Sequence, residues 1–139
     1  MIAYFDTSSL VPLLVEESGS ERANLLWNEA DRIVGIRLVY AEGRAALAMA
    51  VRLGRLDRGA LRTSVLGLDQ LYQQMDIVEI SDNLVRRAGV LAEDHSLRGY
   101  DAVHLAAAET LSGDGIVVVA GDGPLCQAAR ALGLAVAHT

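Results

Sequence analysis

Apolar positions fall into two alternating kinds of run along the chain. Residues 2–5, 33–36, 77–80, 116–120 and 135–137 are short and β-favouring, and Ile116-Val117-Val118-Val119 is continuous rather than alternating. A continuous apolar run of that length fits a strand covered on both faces. Between these runs the period becomes helical. Leu61, Val65, Leu68, Tyr72 and Met75 step by three or four, as do Leu84, Ala88, Leu91 and His95, so each set forms one helix face directed at the sheet. Helix starts are marked as well. Asp57 is placed to cap, with Leu56 and Leu61 as a hydrophobic staple; Ser18-Gly19-Ser20-Glu21 reads as a capping box; and Ser81 precedes Asp82. After Asp122, Pro124 suits a donor-free first turn and Gly133 a helix stop. Strands alternating with helices predict an α/β fold, a parallel sheet with helices on both faces.

Composition adds limits to that pattern. The 139 residues fit a single domain, 1–139, without internal repeat or linker. With aromatics at 4%, the core has to be aliphatic. One cysteine, Cys126, forms no internal disulfide, and its apolar neighbours predict a packed thiol. Neither a secretion signal nor a spanning run is present, so the expectation is a cytoplasmic protein without a membrane partner. All twelve basic residues are arginine, which disfavours P-loop and Schiff-base chemistry, since both need a lysine. A formal charge of −6 argues against gripping nucleic acid by bulk basicity, although a bound divalent metal inverts the sign of an acidic site.

Four acids stand out by position. Asp6 directly follows the first strand and Asp122 follows the strand 116–120, so both lie at the carboxyl edge of a parallel sheet, where clefts open. Glu42 lies near the start of the helical segment 40–53 and Asp101 near the start of the segment 100–111. Taken singly, Asp6 and Asp122 read first as N-caps, and Glu42 and Asp101 equally as solvated first-turn acids. Taken together they would repel: two like charges 4 Å apart cost about 4 kcal/mol at an effective dielectric of 20. Gathering them therefore calls for a cation.

The segments that carry these acids, Tyr4-Phe5-Asp6-Thr7-Ser8-Ser9-Leu10, Tyr40-Ala41-Glu42, Leu97-Arg98-Gly99-Tyr100-Asp101-Ala102-Val103-His104-Leu105-Ala106 and Gly121-Asp122-Gly123-Pro124-Leu125, resemble those of a PIN domain, most closely the VapC-type toxins of bacterial toxin–antitoxin modules. The resemblance spans nearly the whole chain. It implies a three-layer α/β/α fold on a five-stranded parallel sheet, with Asp6, Glu42, Asp101 and Asp122 as the catalytic acids that bind Mg²⁺ or Mn²⁺. It also implies cleavage of RNA and a cognate antitoxin as partner, and a homodimer is expected. Mg²⁺ takes hard oxygen ligands and keeps several waters, which suits carboxylates; it activates water for attack without a protein nucleophile. Two positions depart from the family pattern. Ala120 stands where a Thr or Ser is common, and Gly43-Arg44 follow Glu42 where apolar residues are common.

Other residues take lesser roles. Ser8 is placed to hydrogen-bond a metal ligand or water, or to cap a helix; Thr7 is a weaker candidate. His104, three residues beyond Asp101, is expected as a hydrogen-bonded core residue rather than a catalytic one, and neither His95 nor His138 has a spacing argument. Arg52, Arg55, Arg58 and Arg62 cluster near a helix-to-helix turn and Arg86-Arg87 form a pair, read as a solvated face or, collectively, as phosphate contacts flanking the acids. The reading is a metal-dependent endoribonuclease acting as a toxin. Its alternatives are a housekeeping RNA-processing nuclease of the same fold and a catalytically silent binding module.

Overall fold

The computed structural model describes residues Met1–Thr139. In chain order the elements are β1 (Ile2–Phe5), α1 (Thr7–Leu10), a 3₁₀ turn (Val11–Leu13), α2 (Ser20–Glu29), β2 (Arg32–Ile36), α3 (Leu38–Arg52), α4 (Arg58–Gln74), β3 (Asp76–Val78), α5 (Asp82–His95), α6 (Gly99–Glu109), a second 3₁₀ turn (Ser112–Asp114), β4 (Ile116–Ala120), α7 (Gly123–Ala131) and β5 (Ala135–His138). The strands form one sheet in the order β3-β2-β1-β4-β5, every pair parallel. Connections run from β1 outward to β3, then cross back to β4. Right-handed crossovers then place the helices before β3 on one face and those after it on the other. Accordingly α1 packs with α2 and α3, and α3 with α4, whereas α5, α6 and α7 pack in succession on the opposite side. This is the expected three-layer α/β/α arrangement.

The central strands carry the aliphatic core. Ala3, Tyr4, Phe5, Val118, Val119 and Ala120 are all buried, as a strand covered on both faces requires. The α4 and α5 stripes behave as read from their period: Leu68 of α4 and Leu84, Ala88 and Leu91 of α5 are buried. Of the predicted caps, Asp57 Oδ1 accepts from Ala60 N at 2.7 Å and Ser81 Oγ from Leu84 N at 3.1 Å. Three expectations need correction. The Ser18 capping box does not form: α2 starts at Ser20, whose hydroxyl accepts from Glu17 N and donates to Val15 O, tying down the preceding loop instead. The third strand occupies 76–78 rather than 77–80, because it is an edge strand that pairs with β2 only over Val34–Ile36. The helices bearing Glu42 and Asp101 start at Leu38 and Gly99, slightly earlier than predicted.

Gly43 accounts for one departure from the family pattern. A Cβ built there would stand 3.1 Å from both Cδ atoms of the buried Leu68, so α3 and α4 approach closely because this position lacks a side chain.

Candidate acidic site at the carboxyl edge of the sheet

β1 pairs with β4 in register from Ile2↔Ile116 to Phe5↔Val119, so Asp6 and the loop bearing Asp122 emerge side by side. The chain leaves β1 in one direction and enters β4 from the other, which makes this the topological switch point of the sheet. Asp6 N donates to Val119 O at 3.0 Å, fastening the first acid to the neighbouring strand. Both strand-end acids are also N-caps. Asp6 Oδ2 accepts from Ser8 N at 3.1 Å, and Asp122 Oδ1 from Leu125 N at 3.0 Å. Capping and clustering are thus compatible, because each cap uses only part of a carboxylate's acceptor capacity.

Ser8 links the two strand ends. Its hydroxyl donates to Asp6 Oδ2 at 2.5 Å and accepts from Gly121 N at 2.9 Å. With Ala120 contributing no hydroxyl, Ser8 provides the hydroxyl contact to the backbone beside Asp122.

α3 and α6 deliver the other two acids from opposite faces. Glu42 Oε1 accepts from Thr7 Oγ1 at 3.0 Å and from His104 Nε2 at 2.8 Å. His104 Nε2 also stands 3.3 Å from Asp6 Oδ1, and its Nδ1 shares a 2.8 Å hydrogen bond with the Tyr4 hydroxyl. His104 is therefore the expected hydrogen-bonded core residue, 1% exposed, and at the same time the bridge between Asp6 and Glu42. Burial of the ring opposes its charging, but the charge of Asp6 and the hydrogen bond and charge of Glu42 outweigh it and raise its pKa. Burial pushes Glu42 up, yet the bond and charge of His104 and the bond from Thr7 leave it below its ordinary value. Tyr4, buried and facing both Asp6 and Glu42, is held neutral.

Asp101 and Asp122 form the second half of the site, with Arg98 between them. Arg98 Nε lies 3.4 Å from Asp101 Oδ2, and its Nη2 lies 3.8 Å from Asp122 Oδ2. Burial, then the charges of Asp122 and Asp6, raise the Asp101 pKa, while Arg98 pulls it down. Burial sets that direction, and the neighbouring carboxylates add to it. Sequence reasoning gave no role to Tyr4 or Arg98 and ranked Thr7 low. Arg98 was visible as a cation three residues before Asp101 at a helix start; the Tyr4–His104 contact spans 100 residues and leaves no local signal.

The donors present are hard oxygens in an acidic pocket, the ligand chemistry of Mg²⁺ or Mn²⁺. No three Asp, Glu, His or Cys side chains close a ready-made cage. Mg²⁺ keeps several waters and binds through one or two carboxylates, so the residues fit such an ion without a closed cage.

The remaining candidates stay outside the acid cluster. Cys126 is buried, as expected, with its Sγ 3.5 Å from Ala120 O. His95 ends α5, and His138 ends β5 on the far side of β4. Arg86 and Arg87 pair with Asp82 and Glu109, which bears out a solvated, paired surface for that doublet.

Both the sequence and the fold have known relatives. The family model described as PIN domain matches residues 3–131. Ribonuclease VapC45 of Mycobacterium tuberculosis is 40% identical over 136 residues, covering 98% of this chain and 94% of that protein. Among solved structures, PAE2754 from Pyrobaculum aerophilum superposes with a TM-score of 0.71 at 21% identity, over 98% of this chain and 83% of that one. VapBC-5 from Mycobacterium tuberculosis, a member of the VapBC family of toxin–antitoxin systems, gives 0.62 at 16% identity, over 99% and 98%. With four acids at the switch point of a five-stranded parallel sheet and a family match over nearly its whole length, this chain belongs to the PIN domain family.

Proposed function

We propose that the protein, as one domain over 1–139, is a divalent-metal-dependent endoribonuclease acting in the cytoplasm as the toxin of a toxin–antitoxin pair. The carrying observation is the convergence of Asp6, Glu42, Asp101 and Asp122 from β1, α3, α6 and the β4–α7 junction onto one edge, in a chain 40% identical to a named ribonuclease. No helix is long and apolar enough to cross a membrane.

Mg²⁺ or Mn²⁺, held by one or two of Asp6, Glu42, Asp101 and Asp122 directly and by the others through water, would supply Lewis acidity and a water of lowered pKa. The chain's own residues do the rest. Ser8 fixes the Asp6 carboxylate through two hydrogen bonds and ties it to Gly121, so that Asp6 and Asp122 keep their separation. His104 and Thr7 fix Glu42 Oε1 in the same way, and Tyr4 locks the His104 ring from behind. With Oε1 oriented by these two bonds and its pKa lowered, Glu42 stays ionised and is placed to help hold the metal ion or a water bound to it. Arg98, largely exposed, is available to a phosphate oxygen once a metal ion neutralises the two aspartates.

An antitoxin completes the reading: a segment presenting Arg or Lys to these acids would exclude both metal and substrate. A homodimer belongs to the same reading, supported by an apolar cleft of about 530 Å³ lined by Leu38, Ile80, Val85 and Val103, with Tyr100 exposed at its rim. Induced expression tests the toxin assignment. Wild type is expected to arrest growth, Asp6→Asn to arrest nothing, and co-expression of the adjacent antitoxin reading frame to restore growth. Harmless wild-type expression, under conditions where purified protein cleaves RNA, would leave a housekeeping nuclease as the better assignment.

A further inference from the structure

The arginines divide unequally over the surface. Arg32, Arg37, Arg55, Arg86, Arg87 and Arg98 each have a carboxylate partner. The other six are Arg22, Arg44, Arg52, Arg58, Arg62 and Arg130, and four of these lie on the α3–α4 hairpin. Arg44, Arg58 and Arg62 line one cleft of about 400 Å³ whose apolar wall is Leu61, Val65 and Leu66. Arg44 is held in place by its hydrogen bond to the Tyr40 hydroxyl, 3.1 Å, and by lying over that ring, 5.8 Å from its centre. In a chain with eighteen acidic residues, three guanidinium groups share one cleft without a direct carboxylate partner, Arg44 reaching Asp69 only through the Tyr40 hydroxyl, and so are set up for an anion from outside.

This cleft is connected to the acidic site in two ways. Arg44 and Glu42 are both carried by α3: Arg44 lies two residues, about 3 Å of helix rise, beyond Glu42, with its side chain turned to the α4 side of the helix. The turn between α3 and α4 also carries Arg55 into a polar cleft of about 390 Å³ that it shares with Ser8 and Gly121, the residues joining Asp6 to the Asp122 loop. Arg58 comes three residues later. A polyanion crossing the acidic site therefore finds Arg98 at the site itself and, beyond it, a group of cations on the side of this hairpin. The acids themselves repel phosphate, so a substrate with a charge on every residue needs such a local counterweight beside the cleavage point.

We infer that the α3–α4 hairpin is the substrate track for RNA, with Arg44, Arg58 and Arg62 gripping backbone phosphates that flank the scissile bond; this rests on the ribonuclease reading above. The grip is on phosphates rather than bases, because the cleft offers guanidinium groups and aliphatic side chains but no aromatic ring for stacking. The choice of cut site then lies with the acids and their immediate surroundings, while the hairpin supplies affinity that is indifferent to sequence.

The test compares wild type with the triple variant Arg44→Gln, Arg58→Gln, Arg62→Gln, and with Arg130→Gln as a control at the distant end of α7. Binding of a fluorescein-labelled oligouridylate is titrated in EDTA over a range of salt, and cleavage of bulk tRNA is followed in Mg²⁺. A single-stranded phosphate contact contributes about 0.7 to the slope of log K against log salt, so losing three should flatten the slope by about 2 and weaken binding roughly 100-fold near 0.1 M salt. The KM for tRNA should rise with kcat retained, the thermal midpoint and Mn²⁺ affinity should stay at wild-type values, and Arg130→Gln should change nothing. A triple variant that matches wild type in slope and KM, while wild type cleaves tRNA, overturns the track and leaves the ribonuclease reading standing. Loss of binding to the co-expressed antitoxin with RNA affinity intact overturns it in favour of a protein-docking face. If wild type neither binds nor cleaves RNA, both the track and the reading beneath it fall.

Discussion

The Tyr4 hydroxyl, His104 and Glu42 form a chain of contacts in which each side chain is fixed by the next. Tyr4→Phe would leave His104 Nδ1 buried without a partner, at a cost of about 1–3 kcal/mol in unfolding free energy by denaturant titration. Activity should fall with it, because Glu42 loses its oriented donor. An unchanged stability would mean that the hydroxyl is not bonded as described. Asp101 gives a prediction of opposite sign. Its raised pKa means that the folded state holds the proton more tightly than the unfolded chain does, so this contribution to the metal-free fold is present at low pH and lost as pH rises through the folded value. Metal-free Asp101→Asn should accordingly be as stable as wild type, or more so, at neutral pH, with a weaker dependence on pH. A loss beyond about 1 kcal/mol, more than a first-turn acid contributes through the helix dipole, would assign Asp101 a structural role instead.

At the scale of elements, position relative to a strand end proved readable and partnership across the chain did not. Asp6 and Asp122 were legible because each directly follows a β-favouring run, and the β1–β4 pairing brings them together. The family motif extended this to Glu42 and Asp101. What the sequence concealed is how the halves are joined: Thr7 and His104 meet on Glu42 from α1 and α6, on opposite faces of the sheet. His104 looked like a core residue and is one; only three-dimensional closure gives its Nε2 two carboxylates. The misread capping box has a local cause, since a Ser hydroxyl serves a preceding loop as readily as a helix start. Gly43 shows why an apparent break in a motif can be a packing requirement. Gly43→Val should force α3 away from Leu68 and destabilise the fold by about 1–3 kcal/mol, with activity falling because Glu42 is the preceding residue. Wild-type stability in that variant would show that α3 and α4 have slack at this crossing.

For the whole molecule, the distribution of charge matters more than its total. The net charge of −6 suggests a poor nucleic-acid binder, yet the negative charge concentrated at the sheet edge is what a divalent ion would neutralise, and four of the six arginines without a carboxylate partner lie on one hairpin. The proposed homodimer would bury the apolar cleft beside Tyr100, so sedimentation velocity at micromolar concentration should give a dimer that Tyr100→Arg dissociates; a monomeric wild type would contradict the homodimer. The proposed reaction is RNA cleavage by four acids and a divalent ion. The most direct measurement is cleavage of total RNA by rigorously purified protein in Mg²⁺, in excess EDTA, and with Asp6→Asn, Asp101→Asn and Asp122→Asn, each checked for folding. Cleavage is expected in Mg²⁺, none in EDTA, and activity reduced by orders of magnitude in every variant. Undiminished cleavage in EDTA, or variants that all remain near wild type, would contradict it.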